Sequence, residues 1–224
     1  ELTEQWLQGR YESPQIADKW SQGPVVGVEI LAPEDVAPGA EAEIKLVITS
    51  NKVGHDFPTG PLDIIQAWVE MTVVDDQGRE AYATGRVDEN GFIEAGTFML
   101  KAEPVDQQGN LIDRHNLWEM VGVRHRRALF PGFSDTVDFS FFCPEAARPE
   151  TRDIEKEDIA FGVAAPGADS GWIDVKVRLR YRKVSQYLLN FMFGEEAGLS
   201  APITDLAAAS VRIPVRSGSV PRGD

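Results

Sequence analysis

A strict alternation of apolar and polar side chains over residues 173–182 most limits what this chain can fold into. Apolar residues occupy every second position from Ile173 to Tyr181, and one aspartate, one lysine and three arginines occupy the alternate positions. Successive side chains of a β-strand point to opposite faces of a sheet, so this pattern predicts a strand with one buried and one solvated face. The apolar set is therefore expected to cover a hydrophobic core.

Shorter or less regular patterns of the same kind predict more strands along the chain. They fall at residues 25–31, 41–50, 64–74, 80–84, 117–129, 135–142 and, as a final edge strand, 211–215. Residues 85–116 are expected to form a long connection with short strands. Residues 186–193 carry apolar side chains at helical spacing before Gly194, which predicts a short helix that ends at the glycine. We expect an all-β, antiparallel sandwich of seven to nine strands at 24–216, with short N-terminal and C-terminal helical segments.

The two ends of the chain depart from this β pattern. Residues 1–23 contain Trp6, Tyr11 and Trp20 and could form short helical turns, which predicts an aromatic arm laid on another surface. Aromatic side chains are enriched in the cores of protein interfaces, so these three residues are candidate contacts to a partner. Residues 217–224 are rich in Arg, Ser and Gly, which predicts a disordered tail.

Charge and cysteine content argue against several classes of function. The 224 residues include 36 acidic and 22 basic side chains, for a formal net charge of -14, which disfavours nucleic acid as a partner. No run of about 18 apolar residues occurs, so we expect no membrane-spanning helix. Cys143 is the only cysteine, which excludes the Cys-x-x-Cys-His sequence that attaches haem c. No covalently bound cofactor is therefore expected.

Two of the three histidines are candidate ligands. His55 lies in a loop, residues 51–60, in which two glycines and Pro58 constrain the backbone, so its imidazole would be held still. Such a ring could bind haem iron or another metal, or could make a structural hydrogen bond. His115 follows a turn, and it too could be a metal ligand or could have a structural role. His125 lies among arginines and is expected to be solvated.

Charged residues add further candidates. Asp56, Asp63 and Asp113 could supply carboxylate ligands or hold an imidazole in place, and Asp56 and Asp113 are the preferred pair. Three arginines around His125 could dock an anionic group, such as the haem propionates of a partner, or could balance the acids of a polar sheet face. These are Arg124, Arg126 and Arg127.

Motifs that carry catalysis do not occur in the sequence. It contains no Gly-x-Ser-x-Gly elbow, no phosphate-binding glycine loop and no His-Glu-x-x-His helix. We therefore expect a protein that is not an enzyme.

The Gly-His-Asp-Phe-Pro-Thr-Gly sequence at residues 54–60, together with the order of strands and turns over residues 25–195, resembles a known family. That family is the immunoglobulin-like β-sandwich domain associated with bacterial multihaem cytochromes c. The resemblance implies an extracytoplasmic protein, periplasmic or at the cell surface, which takes part in electron transfer and offers His55 to haem iron. The chain departs from these cytochromes in having no haem-attachment motif. Either the cytochrome portion is a separate partner chain, or it was removed, or this copy works without haem.

Three functions remain open at this point. The first is an accessory subunit or domain that docks on a multihaem cytochrome c. The second is a stand-alone periplasmic protein that binds copper or zinc through His55 with another histidine or an aspartate. The third is an adhesive or carbohydrate-binding sandwich, which would need Trp68, Trp118 and Trp172 to be exposed as platforms.

Overall fold

Nine β-strands dominate the computed structural model, which describes residues 1–11, 13–15, 17–19, 23–61, 63–144 and 171–216. The strands are β1 Val26–Leu31, β2 Glu41–Ser50, β3 Gln66–Asp75, β4 Glu80–Thr84, β5 Met99–Val105, β6 Gly122–Arg127, β7 Ser134–Phe142, β8 Gly171–Arg182 and β9 Thr204–Val215. Helix α1, Leu2–Leu7, precedes them, and helix α2, Gln186–Phe193, lies between β8 and β9. Single 3-10 turns form at Leu117–Glu119 and Glu195–Ala197.

The strands pair into two antiparallel sheets. The smaller sheet has the order β1-β2-β7, and the larger has the order β6-β5-β3-β8-β9, with β4 also pairing with β3. The pairs β2 with β7 and β3 with β8 join strands that lie far apart in the sequence. Strand β5 lies within the long connection between β4 and β6, and it joins this connection to the larger sheet by pairing with β3 and β6.

One hydrophobic core fills the space between the sheets. The apolar set of β8 faces this core, and Ile173, Val175, Val177 and Leu179 are each at most 1% exposed. From the smaller sheet, β2 contributes Ile44, Leu46 and Ile48. The predicted all-β, antiparallel sandwich with short helical segments near both ends is confirmed, and it is immunoglobulin-like in that two antiparallel sheets face one core.

The outer face of the larger sheet is polar, yet it covers a buried indole. Trp68 in β3 is 0% exposed, and its Nε1 donates a 2.9 Å hydrogen bond to the carbonyl oxygen of Gly85. The guanidinium groups of Arg180 and Arg182 each lie 5.7 Å from the centre of the ring, within range of a cation–π interaction. The arginines that alternate along β8 thus serve this chain's own packing.

Three segments differ from the sequence-based prediction by more than two residues. The final strand begins at Thr204 rather than 211, because β9 pairs with β8 along most of its length although residues 207–209 are alanines with weak strand preference. Residues 117–119 form a helical turn, so β6 is shorter than the predicted strand at 117–129. The 85–116 connection contains the full strand β5.

Three tight turns of the chain share one construction. In each, a carboxylate oxygen of an aspartate accepts hydrogen bonds from the main-chain nitrogens two and four residues later, and a glycine three residues later has a positive φ. The aspartates are Asp75, Asp88 and Asp106, and the glycines are Gly78, Gly91 and Gly109.

The start of the N-terminal arm, α1 and Gln8, lies on the sandwich of its own chain. Trp6 and Leu7 of α1 pack against the core, and the main-chain nitrogen of Val25 donates a 3.1 Å hydrogen bond to Leu7. The side chain of Gln8 donates to the carbonyl oxygen of Asp205 at 3.0 Å. The predicted tail at 217–224 lies outside the described residues. None of the described helices is long and apolar enough to cross a membrane.

Candidate functional site

The loop of residues 51–65 is fixed to the chain that follows β6. Phe57 and Leu129 exchange two main-chain hydrogen bonds of 2.8 Å, and the buried ring of Phe57 lies 6.1 Å from that of Tyr181. Beside this junction the carboxylate of Asp56 pairs with Arg126 of β6. The constraint expected from glycine and proline is therefore accompanied by contacts to a strand.

His55 is exposed on this loop. Its Nδ1 lies 3.0 Å from the main-chain oxygen of Asp56. In the tautomer with the proton on Nδ1, this contact is a hydrogen bond that leaves the lone pair of Nε2 available to a metal. The ring is exposed, as a ligand would need to be, and its role as a ligand stays a prediction.

His115 is held more firmly, by a carboxylate. Its Nδ1 lies 3.1 and 3.2 Å from the two carboxylate oxygens of Asp63. The side chain of Asp63 is 0% exposed, whereas that of His115 is 46% exposed. The backbone of His115 has φ of 60°, in the left-handed region that few residues other than glycine adopt. The loop that carries His55 thus also supplies the residue that orients His115.

The two preferred aspartates have other contacts. Asp113 lies 3.6 Å from its neighbour Arg114, and Asp56 reaches His55 through its main-chain oxygen rather than its carboxylate. Asp63, which the sequence offered without preference, is the residue that contacts His115. Asp63 and His115 are 52 positions apart, and nothing in a single sequence indicates that two such distant residues are in contact. Only the fold brings them together.

Exposed apolar side chains occur in the same loop as His115 and on the helix that packs against its neighbour Arg114. The residues that follow it in the chain include Trp118, which is 80% exposed. The guanidinium of Arg114 lies 5.1 Å from the ring centre of Phe191 in α2, which places the exposed apolar side of that helix next to the same loop. We call this surface the His115 face. Its members are His115, Leu117, Trp118, Met120, Val121, Phe191 and Met192.

The basic cluster of β6 is paired within the chain. Each arginine has its own carboxylate partner: Arg124 lies 2.9 Å from Glu103, Arg126 contacts Asp56, and Arg127 lies 2.6 Å from Asp135. The hydrogen bonds from Arg127 hold the pKa of Asp135 below its ordinary value. His125 is exposed between them. The arrangement fits a balanced polar face, and docking of an anion there stays a prediction.

The remaining candidates are dispersed. Of the aromatic residues of the arm, Trp6 packs on this chain's core, Tyr11 is exposed, and Trp20 lies outside the described residues. Across the described ranges, no three His, Cys, Asp or Glu side chains lie together as a metal site would require. The burial of Trp68 removes it from any carbohydrate platform, although Trp118 is exposed.

Comparisons with known proteins give only distant structural likeness. No family model and no curated protein matches the chain. It is similar to a penta-heme cytochrome c552 from Thermochromatium tepidum, at 16% identity and a TM-score of 0.49, over 84% of this chain and 39% of that one. It is also similar to the CARDB domain of the PF1109 protein from Pyrococcus furiosus in complex with di-metal ions, at 12% identity and a TM-score of 0.33, over 85% and 86% of the two chains. TM-scores this low assign no function to the chain.

Proposed function

We propose that this chain is a non-enzymatic accessory domain or subunit of an extracytoplasmic electron-transfer complex, and that it docks on a multihaem cytochrome c through the His115 face. The motif at residues 54–60 supports the class of protein, because of the resemblance already stated. The observation that carries the proposal is the contact between His115 and the buried carboxylate of Asp63. A periplasmic or cell-surface location follows from the same proposal.

The His115 arrangement suits an imidazole that binds iron. Metal-binding histidines commonly donate the proton of one ring nitrogen to a carboxylate or a main-chain oxygen, which fixes the tautomer and makes the other nitrogen a better ligand. Asp63 can accept such a proton from Nδ1, which leaves Nε2 of the half-exposed ring as the ligand atom. His55 has only a neutral main-chain oxygen as its partner. We therefore assign the role of ligand to His115 before His55.

The surroundings of His115 suit a largely apolar partner. Large exposed apolar groups gathered on one side of a protein commonly mark an interaction surface, and tryptophan is frequent among residues that dominate binding energy. Trp118 and Met120, in the same loop as His115, and Phe191, which contacts the neighbouring Arg114, provide such groups. Haem c of the partner would supply the redox chemistry, while this chain would position it and exclude water.

A haem c peptide that has one axial histidine and one exchangeable water tests the assignment. We expect the full chain to shift the Soret band of this peptide to that of a bis-histidine haem, and His115→Ala to remove most of the shift. His125→Ala is the matched control, because His125 is also exposed but sits beside arginines. If no shift occurs, or if both variants weaken it equally, His115 is not the ligand.

Docking is measured separately with a purified multihaem cytochrome c. We expect saturable binding that Trp118→Ala weakens, because this tryptophan is the most exposed apolar side chain of the His115 face. A failure of the chain to bind such a cytochrome would contradict the proposed function even if the haem peptide binds.

A further inference from the structure

The four methionines of the chain fall into two groups by exposure. Met71 in β3 is 0% exposed, and Met99 at the start of β5 is half-buried. Met120 is 46% exposed and Met192 is 59% exposed. Both exposed methionines belong to the His115 face, so the two most accessible thioethers of the chain lie on the surface that is proposed to dock.

The backbone that carries each exposed methionine is ordered by hydrogen bonds or by a helix. The main-chain nitrogen of Met120 donates a 3.2 Å hydrogen bond to the carbonyl oxygen of Leu117, which closes the 3-10 turn in the loop of His115. Met192 lies in α2 directly after Phe191, whose ring centre is 5.1 Å from the guanidinium of Arg114. Both thioethers are therefore held at the surface at fixed places in the chain.

An exposed thioether can be oxidised by a peroxide. The sulfur lone pair attacks one oxygen of hydrogen peroxide, so that an S–O bond forms while the O–O bond breaks. The transferred hydroxyl gives its proton to the departing hydroxide, which leaves as water. Sulfur loses two electrons to the peroxide, and the product is methionine sulfoxide. Methionine sulfoxide reductases reverse the change, one enzyme for each epimer.

The sulfoxide changes the polarity of the His115 face. A methionine side chain is apolar and adapts its shape to a partner, whereas its sulfoxide is polar and accepts hydrogen bonds. Burial of that oxygen against an apolar partner is unfavourable unless a donor reaches it. The neighbouring side chains of Leu117, Val121 and Phe191 carry no donor. Oxidation should therefore oppose docking, while the burial of Met71 protects the core.

We propose that Met120 and Met192 form an oxidation-sensitive modification site, at which hydrogen peroxide reversibly lowers the affinity of the His115 face for its partner. The effect on affinity rests on the proposed docking function. The place of modification and the change in surface polarity do not, because both are measured on the free chain.

Peptide mapping by mass spectrometry locates the modification after timed exposure of the folded, full chain to hydrogen peroxide. We expect Met120 and Met192 each to gain one oxygen atom at least about tenfold faster than Met71, which is fully buried. Treatment with the two reductases should remove both oxygen atoms. Oxidation of Met71 at the same rate as the exposed pair would overturn the proposal.

Retention on a phenyl-substituted resin then measures surface polarity without a partner. We expect peroxide to shorten the retention of the wild type but not that of the double variant Met120→Leu/Met192→Leu, since leucine has a similar volume and no sulfur. Met99→Leu is the matched control, because it keeps both exposed thioethers and should respond as the wild type does. Equal shortening in the wild type and the double variant would also overturn the proposal.

Binding to a purified multihaem cytochrome c, compared before treatment and after the peroxide has been removed, tests the effect on docking. Oxidation should weaken binding of the wild type by about three- to tenfold, and binding of the double variant by less than about twofold. If the untreated wild type binds no cytochrome, the proposed function is wrong, and mapping and retention still decide whether the modification site exists. If the untreated chain binds and oxidation leaves its affinity unchanged, the proposed function stands and this inference is wrong.

Discussion

Both carboxylate oxygens of Asp63 lie within 3.2 Å of Nδ1 of His115, although 52 positions separate the two residues in the chain. The contact joins the loop before β3 to the loop before β6, and it places a buried charge behind a half-exposed imidazole. A buried carboxylate needs a partner, because an unpaired charge away from water is strongly unfavourable. His115 is thus structurally important to Asp63, and Asp63 orients His115.

Asp63→Asn tests this relationship without changing the size of the side chain. The amide can still hydrogen-bond to the ring but carries no charge, so Nε2 should become a weaker ligand. We expect the affinity for the haem c peptide to fall by about 10- to 100-fold. Asp113→Asn is the control, because Asp113 pairs with Arg114, and it should change the affinity by less than about twofold. Equal losses in the Soret titration would contradict the assigned role of Asp63.

The second prediction separates the apolar face from the basic cluster. Trp118→Ala should weaken binding to a multihaem cytochrome c by about tenfold or more, as loss of an exposed aromatic anchor commonly does. Arg124→Ala should weaken it by less than about threefold, because Arg124 already pairs with Glu103. Trp172→Ala, on the outer sheet face under Arg212, is the control. Calorimetry at two salt concentrations gives the comparison, and a larger effect of Arg124→Ala would locate docking on β6 instead.

The third prediction concerns the close approach of Gly85 to β3. A Cβ at Gly85 would lie 2.1 Å from the carbonyl oxygen of Val69, and the backbone has φ of 79°. Gly85→Ala should therefore destabilise the fold by at least about 3 kcal/mol and disturb the hydrogen bond to Trp68. Gly109→Ala has a similar φ of 83° but no atom within 4 Å, so it should cost only about 1–2 kcal/mol. Denaturant unfolding measures both, and equal costs would show that φ alone matters.

The sequence allows the sandwich to be predicted because alternation is a local property. In β8, the apolar positions lie two residues apart and face one core, so residues 173–182 alone contain the information. In β9, the alanines at 207–209 carry little preference, and pairing with β8 decides that they are a strand. The contacts of the candidate site are even harder to predict from the sequence. Asp63 and His115 join loops whose meeting depends on how the strands pair across the sheet.

The last prediction is a loss of stability in acid that depends on Asp75. Burial by itself would raise the pKa of Asp75, but hydrogen bonds from Arg79 and from the main-chain nitrogen of Gln77 outweigh it, so the pKa lies below its ordinary value. Because the folded protein binds this proton less readily than the unfolded chain, the stabilisation is complete above about pH 4 and is lost as the pH falls through the folded-state pKa. Asp75→Asn should lower the free energy of unfolding by about 1–2 kcal/mol at pH 7, and the difference from the wild type should shrink in acid. Asp106 makes the same turn on an exposed loop, so Asp106→Asn should have a much smaller effect. Urea unfolding from pH 7 to pH 3 checks the trend, and a difference between wild type and Asp75→Asn that stays constant over this range would contradict it.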